Sequence, residues 1–388
     1  MGLVKNQFRL ICFGVMLVLG LSLSIYQSVI GDITEIFDSE GMFSGVLLVL
    51  YFMGALILPA ASGAISDWIG KKNLMLIGGM CMVCGVVMVA LSRHVALVGA
   101  GMFLTGGGSS TVEGLLSAKI SDDYPHIAEK LMNYSQMFFC IGAVSGPLLV
   151  IAVRALGGGW QINMFVVAAF LMLATAFLAK IQKDGKDTHH KEKHEIKHST
   201  ALFKDIRFLM FFLAMLLYVG AEGGMAFFIV RYFQSIDVAV LGEISLSMFW
   251  GAMILGRFLS GRLHEYSDQI LIFSVASAVV FSLVLQWVDL PMVSALIFFL
   301  LGLCMAAVWP LIMAHCTRMF SNVSGTAGGL MMTAGALGGI IMPALMSAMA
   351  DRGGIRGSFP AVTGAMLITL VIVICLQYIK RRAGKKSI

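Results

Sequence analysis

The chain is built almost entirely from uninterrupted apolar runs of about twenty residues, and no other feature restricts its folding so strongly. Breaking at charges, Gly/Pro clusters and turn residues sets the runs at 8–30, 42–66, 73–93, 95–119, 130–153, 159–180, 206–232, 243–263, 269–288, 291–317, 325–349 and 359–379. A helix needs about 20 apolar residues to cross a hydrocarbon core about 30 Å thick. Lipid offers the backbone no hydrogen bonds, so only helices and closed barrels span it. Barrel strands alternate in polarity, whereas these runs are continuous. The expected fold is therefore an all-α membrane protein with twelve transmembrane helices. Charged residues are 12% of the 388, against roughly 25% in soluble proteins, so most of the surface is expected to face lipid. The first run is too long for a signal peptide and has no small-residue cleavage site, so it counts as a span.

An even number of spans puts both termini on one side, and Lys and Arg decide which. Of the 27 basic residues, 21 fall in the N-terminus, the even-to-odd loops, the central linker and the C-terminus, while Arg93, Arg154, Arg231, Arg352 and Arg356 fall on the opposite side and Arg257 lies within a span. The positive-inside rule then predicts that both termini are cytoplasmic. The net charge of +6 follows from this topology and from contact with anionic lipid headgroups, and not from nucleic acid. The linker after span six holds His190, His194 and His198 at four-residue spacing, which suits a solvated basic connector or, if helical, a metal site. The seven cysteines sit almost wholly inside apolar runs, against both a disulfide framework and a thiolate metal site. Cys81 and Cys84 form a C-x-x-C without a second pair.

The two halves repeat. "YFMGALIL" at 51–58 aligns with "MFWGAMIL" at 248–255, an offset of 197, and "GAVSG" at 142–146 aligns with "GALGG" at 335–339, an offset of 193. The expected organisation is an N-terminal six-helix half at 1–181, a cytoplasmic linker at 182–205 and a C-terminal six-helix half at 206–388. Parallel halves of this kind are a transporter design with the substrate near the membrane midplane.

Between spans two and three stands "GAISDWIGKK", 63–72. It resembles the G-x-x-x-D-x-x-G-R/K-K/R signature of the major facilitator superfamily. In that reading Gly63 lets two helices approach, Asp67 caps or pairs with a neighbouring helix end, and Lys71 with Lys72 anchors the cytoplasmic face; together with Gly70 they form a conformational switch. "GRFLSGRL", 256–263, is a second copy without the aspartate. Within the superfamily, "GGGSSTVEGLLSAKISD", "LMNYSQMFFCIGAVSGP", "YVGAEGGMAFFIVRYF" and "MFWGAMILGRFLSGRL" resemble spans four, five, seven and eight of the fucose:galactose:proton symporter group. The resemblance implies the major facilitator fold in two six-helix halves, a multi-pass place in a bacterial plasma membrane, and proton-coupled symport of a small polar solute such as a sugar. Where the group continues from its glutamate into T-A-A-N-P, this chain reads "EGLLSAKI", so some hexose-contacting groups are missing there.

Charges at the bilayer centre cost at least about 2.5–3.5 kcal/mol on insertion scales and usually face a cavity. Glu113 in span four and Glu222 in span seven lie well inside their runs, and Asp32 stands near the outer end of span one; these are the candidate proton-coupling carboxylates. The bland alternative is an acid held by hydrogen bonds to a neighbouring span, or, for Glu222 beside Gly223 and Gly224, a tight-packing site. Tyr26, Gln27, Asn133, Gln136 and Trp309 are the candidate substrate-binding residues, with interhelical hydrogen bonding or packing as their alternative. Asn133 and Gln136, three apart, share a helix face, and Trp309 occupies the place of Glu113 in the repeat. Spans five and eleven, with "GAVSGP" and "GALGGIIMP", and the "GA" pairs of spans two and eight are expected to be sliding surfaces. No H-E-x-x-H, G-x-S-x-G or Walker sequence is present, so an enzyme and an ATP-driven pump are both disfavoured. The partners expected are a small-molecule substrate, protons and membrane lipids, with no cofactor and no nucleic acid, for a monomer. The competing transporter class is a proton-driven exporter of amphipathic drugs or lipids, favoured by an expected apolar, Met-rich cavity and by the missing sugar-binding stretch after Glu113.

Overall fold

The computed structural model describes residues 2–35, 42–181 and 202–385, so the linker histidines lie outside the described residues. Thirteen helices are formed among these: α1 Gly2–Glu35, α2 Met42–Ile69, α3 Lys71–Leu91, α4 Val95–Asp123, α5 Ala128–Ala155, α6 Trp160–Leu178, α7 Ile206–Gln234, α8 Ala239–Arg262, α9 Ser267–Val284, α10 Pro291–Met305, α11 Val308–Met319, α12 Ser324–Gly353 and α13 Phe359–Lys385. No strand occurs among the described residues. Twelve segments are long and apolar enough to cross a membrane, from Gln7–Val29 to Ile355–Lys380. They coincide with the twelve apolar runs, with α10 and α11 together making the tenth. The fold is all-α, as the continuous apolar runs require.

The chain gathers into two compact units. One comprises Met1–His126, Tyr134–Ser199 and Thr317–Thr333; the other comprises Ile127–Asn133, Thr200–Cys316 and Ala334–Ile388. Helices α5, α11 and α12 each contribute residues to both.

Glycines set the closeness of packing in each unit. In lipid no hydrophobic drive pulls helices together, so small residues that let backbones touch supply the attraction by van der Waals contact. In the first unit a Cβ on Gly20 of α1 would strike the carbonyl of Phe139 in α5, and one on Gly142 would strike that of Leu17. In the second unit Gly338 of α12 meets Leu216 of α7 in the same way, while Gly220 faces Gly338. Similarly, Gly106 of α4 lies on the Tyr51 carbonyl of α2, and Gly302 of α10 lies on that of Phe249 in α8. The paired positions are separated by 196 to 200 residues, which shows the half-chain repeat in contacts as well as in letters. The match of Gly142 with Gly335 is thereby shifted: the glycine with the equivalent contact is Gly338, three residues further on.

Span ten breaks one turn before Pro310. Pro310 has no N–H to give the carbonyl of Ala306, and its ring crowds that carbonyl. Helix α10 accordingly ends at Met305, a turn occupies Ala306 and Ala307, and α11 restarts at Val308. The sequence reading treats this span as continuous. The carbonyls at the break are taken up by side chains from neighbouring helices.

Candidate functional site

In the first unit the polar side chains converge on α4. Its "TGGGSST" run, 105–111, would be a poor helix by propensity, since each Gly costs about 1 kcal/mol relative to Ala. The glycines serve contact: Gly107 packs on Leu58 of α2 and Gly108 on the Gly78 carbonyl and Met82 of α3. Pressed between those helices, α4 delivers its hydroxyls to its neighbours. Tyr26 of α1 lies 3.3 Å from the Thr105 hydroxyl, Tyr51 of α2 hydrogen-bonds Ser109, and Ser62 of α2 lies 3.0 Å from Thr111. One turn beyond Ser109, Glu113 Oε1 accepts a hydrogen bond of 2.7 Å from Gln136 Nε2 of α5. Four helices thus contribute to one polar cluster inside an otherwise apolar unit. Tyr26, Thr105, Tyr51, Ser109 and Gln136 are buried, and Glu113 is half-buried.

The other candidates are placed differently. Asp32 forms an ion pair of 2.6 Å with Arg154 at the end of α5, and both are substantially exposed. Gln27 is exposed. Asn133 belongs to the second unit, is fully buried, and donates to the Glu129 carbonyl on its own helix. Its Oδ1 has no hydrogen-bond donor among the described residues. The structure therefore brings Tyr26, Gln136 and Glu113 into one cluster and leaves Asp32, Gln27 and Asn133 elsewhere. Tyr51, Thr105 and Ser109 were not singled out from the sequence. The signal that could have found them is the offset of four between Ser109 and Glu113, which puts both on one face of α4.

In the second unit the break in span ten is the organising feature. Tyr218 of α7 donates to the Met305 carbonyl at 2.8 Å. Arg257 of α8 sends Nε to the Ala306 carbonyl at 3.2 Å and pairs through Nη2 with Glu222 at 3.5 Å. Both charged side chains are nearly shut off from solvent, at 4% and 11% relative exposure. Glu222 is thus tied to a guanidinium that also serves the orphaned carbonyl left by Pro310. Trp309, which follows the break directly, is buried.

The "GAISDWIGKK" loop is compact. Gly70 has a φ of 89°, a left-handed conformation that only glycine adopts without strain. It sets the corner at which α2 stops and α3 starts. A Cβ on Gly63 would lie 2.7 Å from the Gly325 carbonyl, so α2 and the start of α12 touch at backbone level. Lys71 is buried and pairs with Asp122 at 2.9 Å, and Asp122 also accepts from Ser324. Lys72 is partly exposed, and the side chain of Asp67 lies outside the described ones.

The model of the Major Facilitator Superfamily matches residues 12–341 and 267–388 of this chain. A glucose/mannose transporter of Bacillus subtilis, GlcP, is 24% identical over 257 residues, a match spanning 63% of each chain, so just under two thirds of that relative is covered. Multidrug resistance protein 2 of the same organism is 21% identical over 85% of this chain and 86% of its own length. Among solved structures, the E. coli fucose:proton symporter FucP superposes with a TM-score of 0.82 at 14% identity, covering 95% of this chain and 98% of that one; that likeness is one of fold. Twelve membrane-spanning helices, a glycine-built half-chain repeat and a family match over nearly the whole length lead to one assignment: the chain belongs to the major facilitator superfamily.

Proposed function

We propose that this multi-pass membrane protein is a secondary active transporter, carrying a small polar solute such as a sugar together with protons by alternating access, with Glu113 as the proton-coupling carboxylate. The observation that carries the reading is the Glu113–Gln136 hydrogen bond of 2.7 Å set among the hydroxyls of Tyr26, Thr105, Tyr51 and Ser109. A glutamine amide carries a donor and an acceptor, so it can hold the carboxylate through Nε2 and the carboxylic acid through Oε1 after a rotation. Protonation of Glu113 then costs no hydrogen-bond partner. Glu222 differs, because a proton there would deprive the buried Arg257 of its counter-charge. Asp32, ion-paired at the exposed ends of α1 and α5, fits an outer tie more readily than a proton carrier at the midplane. The hydroxyl-rich cluster also fits a polyol, whose hydroxyls both donate and accept. The sugar-transporting relatives support that substrate class, and the likeness to a multidrug resistance protein supports a second reading as an exporter of amphipathic compounds. The Lys/Arg asymmetry supports cytoplasmic termini and a cytoplasmic linker.

The test uses purified protein in liposomes. A thermal-shift panel of sugars, organic acids and lipophilic cations first identifies the ligand class; stabilisation by lipophilic cations alone would replace the sugar reading with the exporter. Glu113→Gln then mimics the protonated carboxylate at nearly constant volume. Uphill uptake driven by a proton gradient should be lost while exchange between equal substrate pools survives. Retained uphill uptake in that variant would remove Glu113 from the coupling role.

A further inference from the structure

Between the starts of α2 and α4 lies a cleft of about 500 Å³, walled by Leu47 and Leu50 of α2 and by Val95, Gly99, Phe103 and Leu104 of α4. The two helices splay there. Further along they meet at backbone level, with Gly54 of α2 against the Phe103 carbonyl and Gly106 of α4 against that of Tyr51. At Gly99 a Cβ would meet only the far end of Leu50, with Cδ1 at 2.8 Å. The cleft therefore runs from Val95, 47% exposed at its mouth, past the exposed Ala96 and Ala100, and closes where the backbones touch. Leu47 on its wall is fully buried. None of the lining side chains carries a polar atom, so a sugar would find no side-chain hydrogen bond in it.

We propose that this cleft seats one acyl chain of a phospholipid whose phosphate is held at the Arg93 end. Two matches carry the inference, one of length and one of charge. The spanning stretch of α4 begins at Val95, which puts that residue at the edge of the hydrocarbon core. From there to Leu104 the helix rises about 14 Å, close to the depth of one leaflet, half of a core about 30 Å thick. A straight chain entering beside Val95 would reach the midplane as the cleft ends. Arg93 and His94 directly precede Val95, and both are exposed. Arg93 is a permanent cation on a stem long enough to reach the headgroup layer, and a guanidinium binds phosphate bidentately. A lipid elsewhere on the bundle lies against a convex helix face; here the chain has walls on two sides and a cation above it.

The seat uses no residue of the Glu113 cluster, so its test does not depend on the coupling role of that residue. Full-length protein in detergent is titrated with dioleoylphosphatidylglycerol, and bound lipid is counted by native mass spectrometry. Dioleoylglycerol, with the same chains and no phosphate, is the control. Wild type should retain one phosphatidylglycerol and bind dioleoylglycerol more weakly. Arg93→Gln should weaken the retained lipid about fivefold, the effect of one basic residue beside an anionic headgroup. Ala100→Phe sets a ring in the cleft from an exposed position and should remove the retained lipid with Arg93 intact. Ala96→Phe does the same nearer the mouth and gives the answer if Ala100→Phe does not fold. Wild-type retention in both phenylalanine variants would overturn the seat, and equal binding of dioleoylglycerol would overturn the phosphate contact. A wild-type dimer that Ala100→Phe separates would assign the cleft to a second copy of the chain and overturn the lipid.

Discussion

The pair at the break in span ten gives the most demanding test of the packing argument. Arg257 is 3% exposed, and its acceptors include the Glu222 carboxylate at 3.5 Å and the Ala306 carbonyl at 3.2 Å. Arg257→Met keeps the length and apolar bulk of the side chain and removes both interactions. Removing one partner of a buried pair costs about 3–5 kcal/mol, because the remaining charge is left uncompensated. Glu222→Met should cost about the same, softened by the bond the guanidinium keeps to Ala306. The double variant leaves no buried charge, and replacing a whole pair by packed apolar groups is often neutral. What persists there is the Ala306 carbonyl, without its helical donor because of Pro310 and without Arg257, at about 1–3 kcal/mol for an unmet buried acceptor. The expected pattern is two costly single variants and a double variant less destabilised than either of them. Reversible unfolding of the detergent-solubilised protein, followed by tryptophan fluorescence, measures all four corners of this cycle. Single losses below about 1 kcal/mol, or a double loss equal to the sum of the two, would refute the assignment of Arg257 as both counter-ion and carbonyl partner.

Two further outcomes follow from the loop and from the charge distribution. Gly70→Ala should destabilise the protein by about 1–2 kcal/mol, the cost of a Cβ in the left-handed region, and lower the transport rate at unchanged ligand binding in a melting-shift titration; an equal loss of binding would count against a switch role for this corner. A single cysteine introduced beyond Lys385 should react with an impermeant thiol reagent only in inside-out vesicles or permeabilised cells, and labelling from outside intact cells would overturn the cytoplasmic placement of the C-terminus.

How much of this was legible in the sequence depends on what lipid does to the usual signals. In water an amphipathic helix shows which stripe is buried, since the other stripe must be polar. Here the lipid-facing side is as apolar as the core, so the twelve runs showed where the spans are and little about which faces meet. Polar and glycine residues were the remaining markers. Glu113 stood out because a carboxylate in an apolar run is costly, and Gln136, on the same stretch of α5 as a second candidate amide, proved to be its partner. Asn133 on that same helix turn does not join it: its amide donates to the Glu129 carbonyl on its own helix. Arg257 was visible as a charge inside a span, yet its pairing with Glu222 links positions 35 residues apart on two helices, which no local pattern specifies. Pro310 carried the information that span ten breaks and that one carbonyl must find a donor from outside its helix. The combination of a proline that removes a donor and a buried arginine two spans earlier that has donors to give is readable as chemistry before it is seen as geometry. In a chain whose surface and core share one composition, tracking each displaced hydrogen bond to its replacement locates interhelical contacts better than hydrophobicity does.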